Sequence, residues 1–175
     1  LAYRLMCLQA HYRSELEFSW DGLGAALTRL KRLVMAAAPV REAEAVPATD
    51  RRLADLLAKF DAAISDDLNT PVALTVLEEA AAMKKIDAGQ KRAALETMDA
   101  VLGLQLLTLS REDLRVRPKA AAIEADAIEA VLAKRKDARA AKDFAASDAL
   151  RDELAAAGVE VMDGDPLGWD WRLAD

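Results

Sequence analysis

The sequence predicts an all-α protein: an antiparallel helical bundle, then a small helical domain that closes on a short C-terminal β-hairpin. Three observations predict it. Ala, Leu, Glu, Lys, Arg and Asp dominate, while Gly (7), Pro (5) and aromatic residues (5%) are sparse, a bias toward helix. Apolar residues recur every three or four positions along most of the chain, the helical period. Only the tail changes character, with VEVM and WDWRL as two short β-type runs around DGDPLG, a turn-forming cluster that suits a hairpin. At 175 residues and 53% hydrophobic content, the chain can bury the core of one compact domain or two small ones.

Taken in order, LAYRLMCLQA reads as the end of a helix already under way, because it opens in mid-pattern without an N-cap. HYRSELEFS interrupts the pattern. Ser19 then caps a helix from about Trp20 to Ala37, whose stripe is Leu23, Leu27, Leu30 and Val34. Pro39, Pro47 and a lack of bulky apolar residues mark Ala38 to Thr49 as a linker. A helix from about Asp50 to Ile64 buries Leu53, Leu56, Leu57 and Phe60, and SDDLNTP stops it. Asn69 or Thr70 can cap the next helix, Pro71 to about Ile86, because proline fits a first helical position. Another helix follows the turn at Asp87 to Gln90 and ends on Gly103 as a left-handed cap. Gln105 to Ala120, with Pro118 and mixed charges, reads as a second linker. A long helix from about Ala121 to Ala141 carries Ile123, Ile128, Val131 and Leu132, and a shorter one ends at Gly158. The hairpin must lie against these last two helices, since a lone hairpin is marginal in water.

On the shorter helix, Ala146, Leu150, Leu154 and Ala157 share one sector at about 100° per residue, the natural core face. Phe144 lies instead with Asp148 and Arg151. Two readings stand for this aromatic: it packs on a neighbouring helix or the tail, or it offers a stacking face, with an acceptor and a cation beside it, to an unpaired base. Net charge is −6, which disfavours sequence-blind binding to phosphate backbones. From Lys134 to Arg151, however, six cations face three acids, so this stretch is +3 and the remainder −9. A nucleic-acid contact belongs here first.

No phosphate loop, dinucleotide fingerprint, CxxC, HExxH or GxSxG motif occurs. A single His11 and a single Cys7 cannot complete a four-ligand zinc site or an internal disulfide. Asp66–Asp67 and Glu78–Glu79 are neighbours that point apart on a helix. We therefore expect no catalytic residue and no metal ligand in this chain. No apolar run reaches the roughly 20 residues of a membrane span, and a cytoplasmic location is expected.

Four stretches, in order, resemble the C-terminal part of bacterial cysteinyl-tRNA synthetase: HYRSELEFS (11–19), SDDLNTPVALTVL (65–77), ARAAKDFAASDALRDELAAAGVEVMDG (138–164) and the Trp171-Arg172 ending. The resemblance spans nearly the whole chain, and DALR at 148–151 is the motif from which the anticodon-binding domain family takes its name. It implies that residues 1–48 are the end of a link from a catalytic domain plus the first bundle helix, 49–117 a DALR-type helical bundle, and 118–175 the anticodon-recognition domain. It also implies that Arg139, Asp148 and Asp163 contact anticodon bases, that Phe144 stacks where relatives often carry Trp, and that Trp171, the family's tail Trp, belongs with them to the tRNA-binding set. Lys134, Arg135, Lys136 and Lys142 are candidate phosphate contacts. Asp165 looks like an insertion, and Trp169 stands where a small polar residue is usual.

The implied partner is cysteine tRNA with anticodon GCA. All three of its bases expose donors on their Watson–Crick edges, which carboxylates accept. The catalytic domain, with its ATP and zinc sites, would lie upstream of Leu1, so this chain would hold no cofactor, be inactive alone and act as a monomer. Two other functions fit the same fold. One is a free-standing adaptor that binds protein through exposed Trp169 and Trp171; the other is the matching part of a paralogue that ligates cysteine to a small amine, against which the intact reading residues count.

Overall fold

In a computed structural model, residues 1–165 and 167–172 are described; Pro166 of the hairpin connection and Leu173 of the second β-type run lie outside them. The described residues form seven α-helices followed by one two-stranded antiparallel hairpin, the mostly helical class that composition and period predict. The chain divides into two compact units, Leu1–Leu114 and Arg115–Asp175.

The first unit contains α1 (Ala2–Leu8), α2 (Trp20–Ala37), α3 (Arg51–Ser65), α4 (Thr70–Ala82) and α5 (Ala88–Leu102). Ser19 caps α2 as expected, its hydroxyl accepting the Gly22 amide at 3.0 Å. Asp50 caps α3 and Asp87 caps α5 by the same device. For α4 the cap is Asn69, whose Oδ1 accepts the Val72 amide at 3.4 Å, which settles the choice between Asn69 and Thr70. Leu30, Leu74, Leu77, Leu95 and Met98 are fully buried in the core of this unit, and Leu53 of α3 is fully buried as well.

Three segments differ from the sequence reading. Helix α4 stops at Ala82 rather than near Ile86, because the Lys91 ammonium reaches back from α5 and donates to the carbonyls of Ala81 (2.5 Å) and Met83 (3.0 Å). The first half of the expected linker from Gln105 to Ala120 is packed: Leu106 and Leu114 are buried, as is Leu104 just before it, and the Asp99 carboxylate accepts the amides of Leu104 and Leu106, both at 2.7 Å. Gly103 itself has φ +66°, the predicted left-handed cap. The other expected linker is tethered as well. It begins with a 3-10 turn at Ala38–Val40, and the Gln90 side chain accepts the amides of Thr49 and Asp50.

The HYR segment clasps the turn between α3 and α4. Tyr12 Oη donates to Asp67 Oδ1 at 2.7 Å, Arg13 lies 3.3 Å from the same carboxylate, and His11 Nε2 bonds the Asp67 carbonyl. Asp67 and Leu68 both have φ near +54°, a left-handed backbone that non-glycine residues adopt only at a cost. Nearby, Tyr3, Phe18 and Trp20 form a surface row of tilted and edge-on rings.

The second unit contains α6 (Ala125–Ala140), α7 (Phe144–Ala156), β1 (Val159–Val161) and β2 (Trp169–Trp171). The strands pair with Val159 opposite Trp171 and Val161 opposite Trp169. Helix α6 begins about one turn later than expected, and Ile123 in the extended lead-in still packs on the core. That core is Ile128, Leu154, Val159, Trp169 and Trp171. Trp169 is 1% exposed and Trp171 6%, with their rings edge to face at 5.4 Å. The indole of Trp169 donates to Glu129 at 2.5 Å, and the Arg115 guanidinium stacks 4.0 Å over its ring while bonding the carbonyls of Leu167 and Trp169. Both tryptophans, read from sequence as exposed docking residues of an adaptor, are therefore core; that reading loses its surface.

Candidate nucleic-acid interface

A tight helix–turn–helix builds the candidate site. At the end of α6 the Lys142 amide bonds the Arg139 carbonyl (3.0 Å) and the Asp143 amide bonds the Ala138 carbonyl (2.9 Å), with Lys142 left-handed at φ +61°. This is the Schellman pattern, which satisfies the last carbonyls of a helix and reverses the chain. Asp143 then caps α7, its Oδ1 accepting the Ala146 amide at 3.0 Å. Arg139 thus falls in the last turn of α6 and Phe144 at the first position of α7, on either side of a three-residue turn.

Phe144 is 63% exposed, and Asp148, one helical turn on, is exposed too. Of the two readings of the aromatic, the packed one is overturned: α7 turns Leu154 and Ser147 into the protein and leaves Phe144 in solvent. Among the described residues Asp148 accepts no hydrogen bond and pairs with no cation within 4 Å. The Arg135 guanidinium has its pKa raised chiefly by its hydrogen bonds to Asp163, with the charge of Asp148 the smallest contribution in the same direction.

Asp163 occupies the turn after β1, which the Asp165 amide closes on the Met162 carbonyl with Gly164 at φ +80°. Its two carboxylate oxygens accept from Arg135 Nη1 (2.6 Å) and Nη2 (2.8 Å), and Oδ1 also accepts from Arg139 Nη1 (3.0 Å). The Arg135 hydrogen bonds hold Asp163 below the usual carboxylate range against the opposing effect of burial, and the charges of Arg139 and Arg151 act in the same direction. The Arg135 side chain is only 8% exposed, whereas Arg139 is 51% and Asp163 42% exposed. Lys134, Lys136 and Lys142 are exposed around this cluster. Asp165, unexplained from sequence, braces the hairpin turn by accepting the Leu167 amide at 2.9 Å.

The second unit therefore assembles Arg139 and Asp163 as one ion-paired group, with α7 carrying Phe144 and Asp148. Trp171, expected in the tRNA-binding set, lies on β2 with its side chain buried in the core of this unit. An open aromatic face, an unpartnered carboxylate and exposed cations can stack a base, accept its amino or imino hydrogen and hold its phosphates. The clamp role of Arg135 was not readable from sequence, where it is one cation in a run of three. Among the described residues no cluster of His, Cys, Asp or Glu could hold a metal ion, and no helix is long and apolar enough to cross a membrane.

The elements of this unit coincide with a known family model: residues 124–172 match the cysteinyl-tRNA ligase anticodon binding domain. Relatives extend the likeness to nearly the full chain. A protein of Novosphingobium aromaticivorans named cysteine–tRNA ligase is 64% identical over 99% of the chain, one from Zymomonas mobilis 42% over 98%, and one from Micrococcus luteus 41% over 99%. The match is to the C-terminal part of those proteins. The chain spans 36% to 40% of their lengths.

Proposed function

We propose that this chain binds tRNA as the anticodon-reading part of a cysteine–tRNA ligase, and that its RNA is cysteine tRNA with anticodon GCA. The observation that carries the proposal is the conjunction at one helix–turn–helix: an exposed Phe144, an unpartnered Asp148 and the Arg139–Asp163 pair, all inside the anticodon-binding family match. Phe144 stacks an unpaired base, Asp148 and Asp163 accept base-edge donors, Arg139 contributes charge and a donor, and Lys134, Lys136 and Lys142 attract phosphates. Residues 118–175 are the reading domain, 49–117 the bundle, and 1–48 the link with the first helix. ATP, zinc and cysteine are handled by the catalytic domain of the parent ligase, a cytoplasmic monomer.

The test is direct titration of the chain with a GCA anticodon stem–loop and with the same stem–loop carrying a swapped anticodon. The proposal expects tighter binding of the GCA form; equal or absent binding of both overturns it. Purified alone, the chain is expected to give no cysteine-dependent pyrophosphate exchange, and exchange at the rate of an intact ligase would contradict the division of labour.

A further inference from the structure

The buried arginine beneath the site has a role that its place in a run of three cations hides. Arg135 lies one turn before Arg139 on α6, and its guanidinium grips both oxygens of Asp163 across the gap between α6 and the hairpin turn, at 2.6 and 2.8 Å. Its side chain is 8% exposed, so its charge is taken up below the surface and not presented to it. Burying such a pair is a poor way to gain stability, because desolvation offsets much of the attraction. The Arg135 Nε is moreover buried without a hydrogen-bond partner, a further cost. What the pair does secure is geometry. A forked guanidinium–carboxylate contact fixes the carboxylate plane, and the Asp163 oxygen so held takes a third hydrogen bond from the half-exposed Arg139 at 3.0 Å.

We propose that Arg135 is a positioning residue: by clamping Asp163 it holds the Arg139 guanidinium in the orientation that contacts the RNA, and it touches no phosphate itself. The proposal rests on the anticodon reading above. A phosphate-contacting Arg135 and a positioning Arg135 differ in what their loss does. Removing a phosphate contact weakens all sequences alike and lowers the salt slope of binding by roughly one. Removing a clamp loosens a specific contact, so discrimination falls while the salt slope stays nearly constant.

The experiment compares the chain with its Arg135→Lys and Arg135→Gln variants in binding GCA and swapped-anticodon stem–loops at several salt concentrations. The ordering of the Arg139 guanidinium is followed alongside by NMR relaxation of its Nε–Hε group. We expect Arg135→Gln to lose about tenfold in the GCA preference with an unchanged salt slope, Arg135→Lys to lose less, and Arg139 to become mobile in both. In an Arg139→Gln background the further Arg135→Gln change should cost little discrimination, since the two act through one contact. A uniform loss with a reduced slope, or an Arg139 as ordered in the variants as in the parent, overturns the proposal. If the parent chain fails to discriminate the two RNAs, the anticodon reading falls, while the Arg139 ordering still decides whether Arg135 is the clamp. Should Arg135→Gln unfold, Arg135→Lys, which keeps the charge and loses the fork, decides by the same readouts.

Discussion

Asp148 and Asp163 are the same residue type in opposite electrostatic situations. Asp163 is committed to two guanidinium groups, whereas Asp148 is exposed and unpartnered among the described residues. A base arriving beside Phe144 therefore finds the Asp148 carboxylate with its full acceptor capacity, while Asp163 accepts with the lone pairs its arginines leave. Asp148→Asn should preserve stability and reduce the preference for the GCA stem–loop by roughly 1–3 kcal/mol, because an amide presents a donor where only an acceptor is wanted; paired titrations with cognate and swapped RNAs read it. Arg139→Ala should weaken both, the GCA form more than the swapped one, and lower the salt slope, because the guanidinium supplies a base-side donor as well as charge. The Arg135–Asp163 pair has a pH signature. The folded pKa of Asp163 lies below its unfolded value, so its stabilisation is in place above the unfolded carboxylate range, about pH 4. It is lost as pH falls through the folded value. Thermal unfolding between pH 6 and 3 should show a shallower acid loss in Asp163→Asn than in the parent; identical slopes would mean the pair contributes nothing. Both roles of aspartate were legible only as candidates from sequence, because the cation that engages Asp163 lies 28 positions away.

At the scale of elements, local signals were legible and distant ones were not. Ser19, Asp50, Asp87 and Gly103 act within a turn of their own helices, and the two β-type runs on either side of DGDPLG pair as that turn cluster predicts. Leu106 reads as linker from sequence because the short run of leucines from Leu104 to Leu109 carries no helical period; a carboxylate on the preceding helix holds the amides of Leu104 and Leu106. The cap of α4 is a test of that local chemistry. Asn69→Ala should cost about 1 kcal/mol in denaturant unfolding and Thr70→Ala much less, and the reverse order would return the cap to Thr70. The α6–α7 turn separates structure from charge. Lys142 holds a left-handed conformation that glycine adopts freely, so Lys142→Gly should raise stability by about 1 kcal/mol while weakening RNA binding in low salt. A loss of stability would show that the lysine side chain, and not its backbone, holds the turn.

Across the whole molecule, two features carry different parts of the account. In the proposed function an acidic chain reads RNA by gathering its cations: the +3 stretch from Lys134 to Arg151 lies on α6 and α7, the elements that carry Phe144 and Asp148. The buried tryptophans supply the core on which those helices rest, and the aromatic available for stacking is the one that α7 leaves outside. The measurement that reaches this claim most directly is NMR mapping of the chain titrated with the GCA stem–loop. The account predicts upfield shifts of the Phe144 ring protons, as a stacked base produces, with amide changes concentrated at Arg139, Asp148 and Asp163. Perturbations confined to the surface row of Tyr3, Phe18 and Trp20, with Phe144 unmoved, would contradict it.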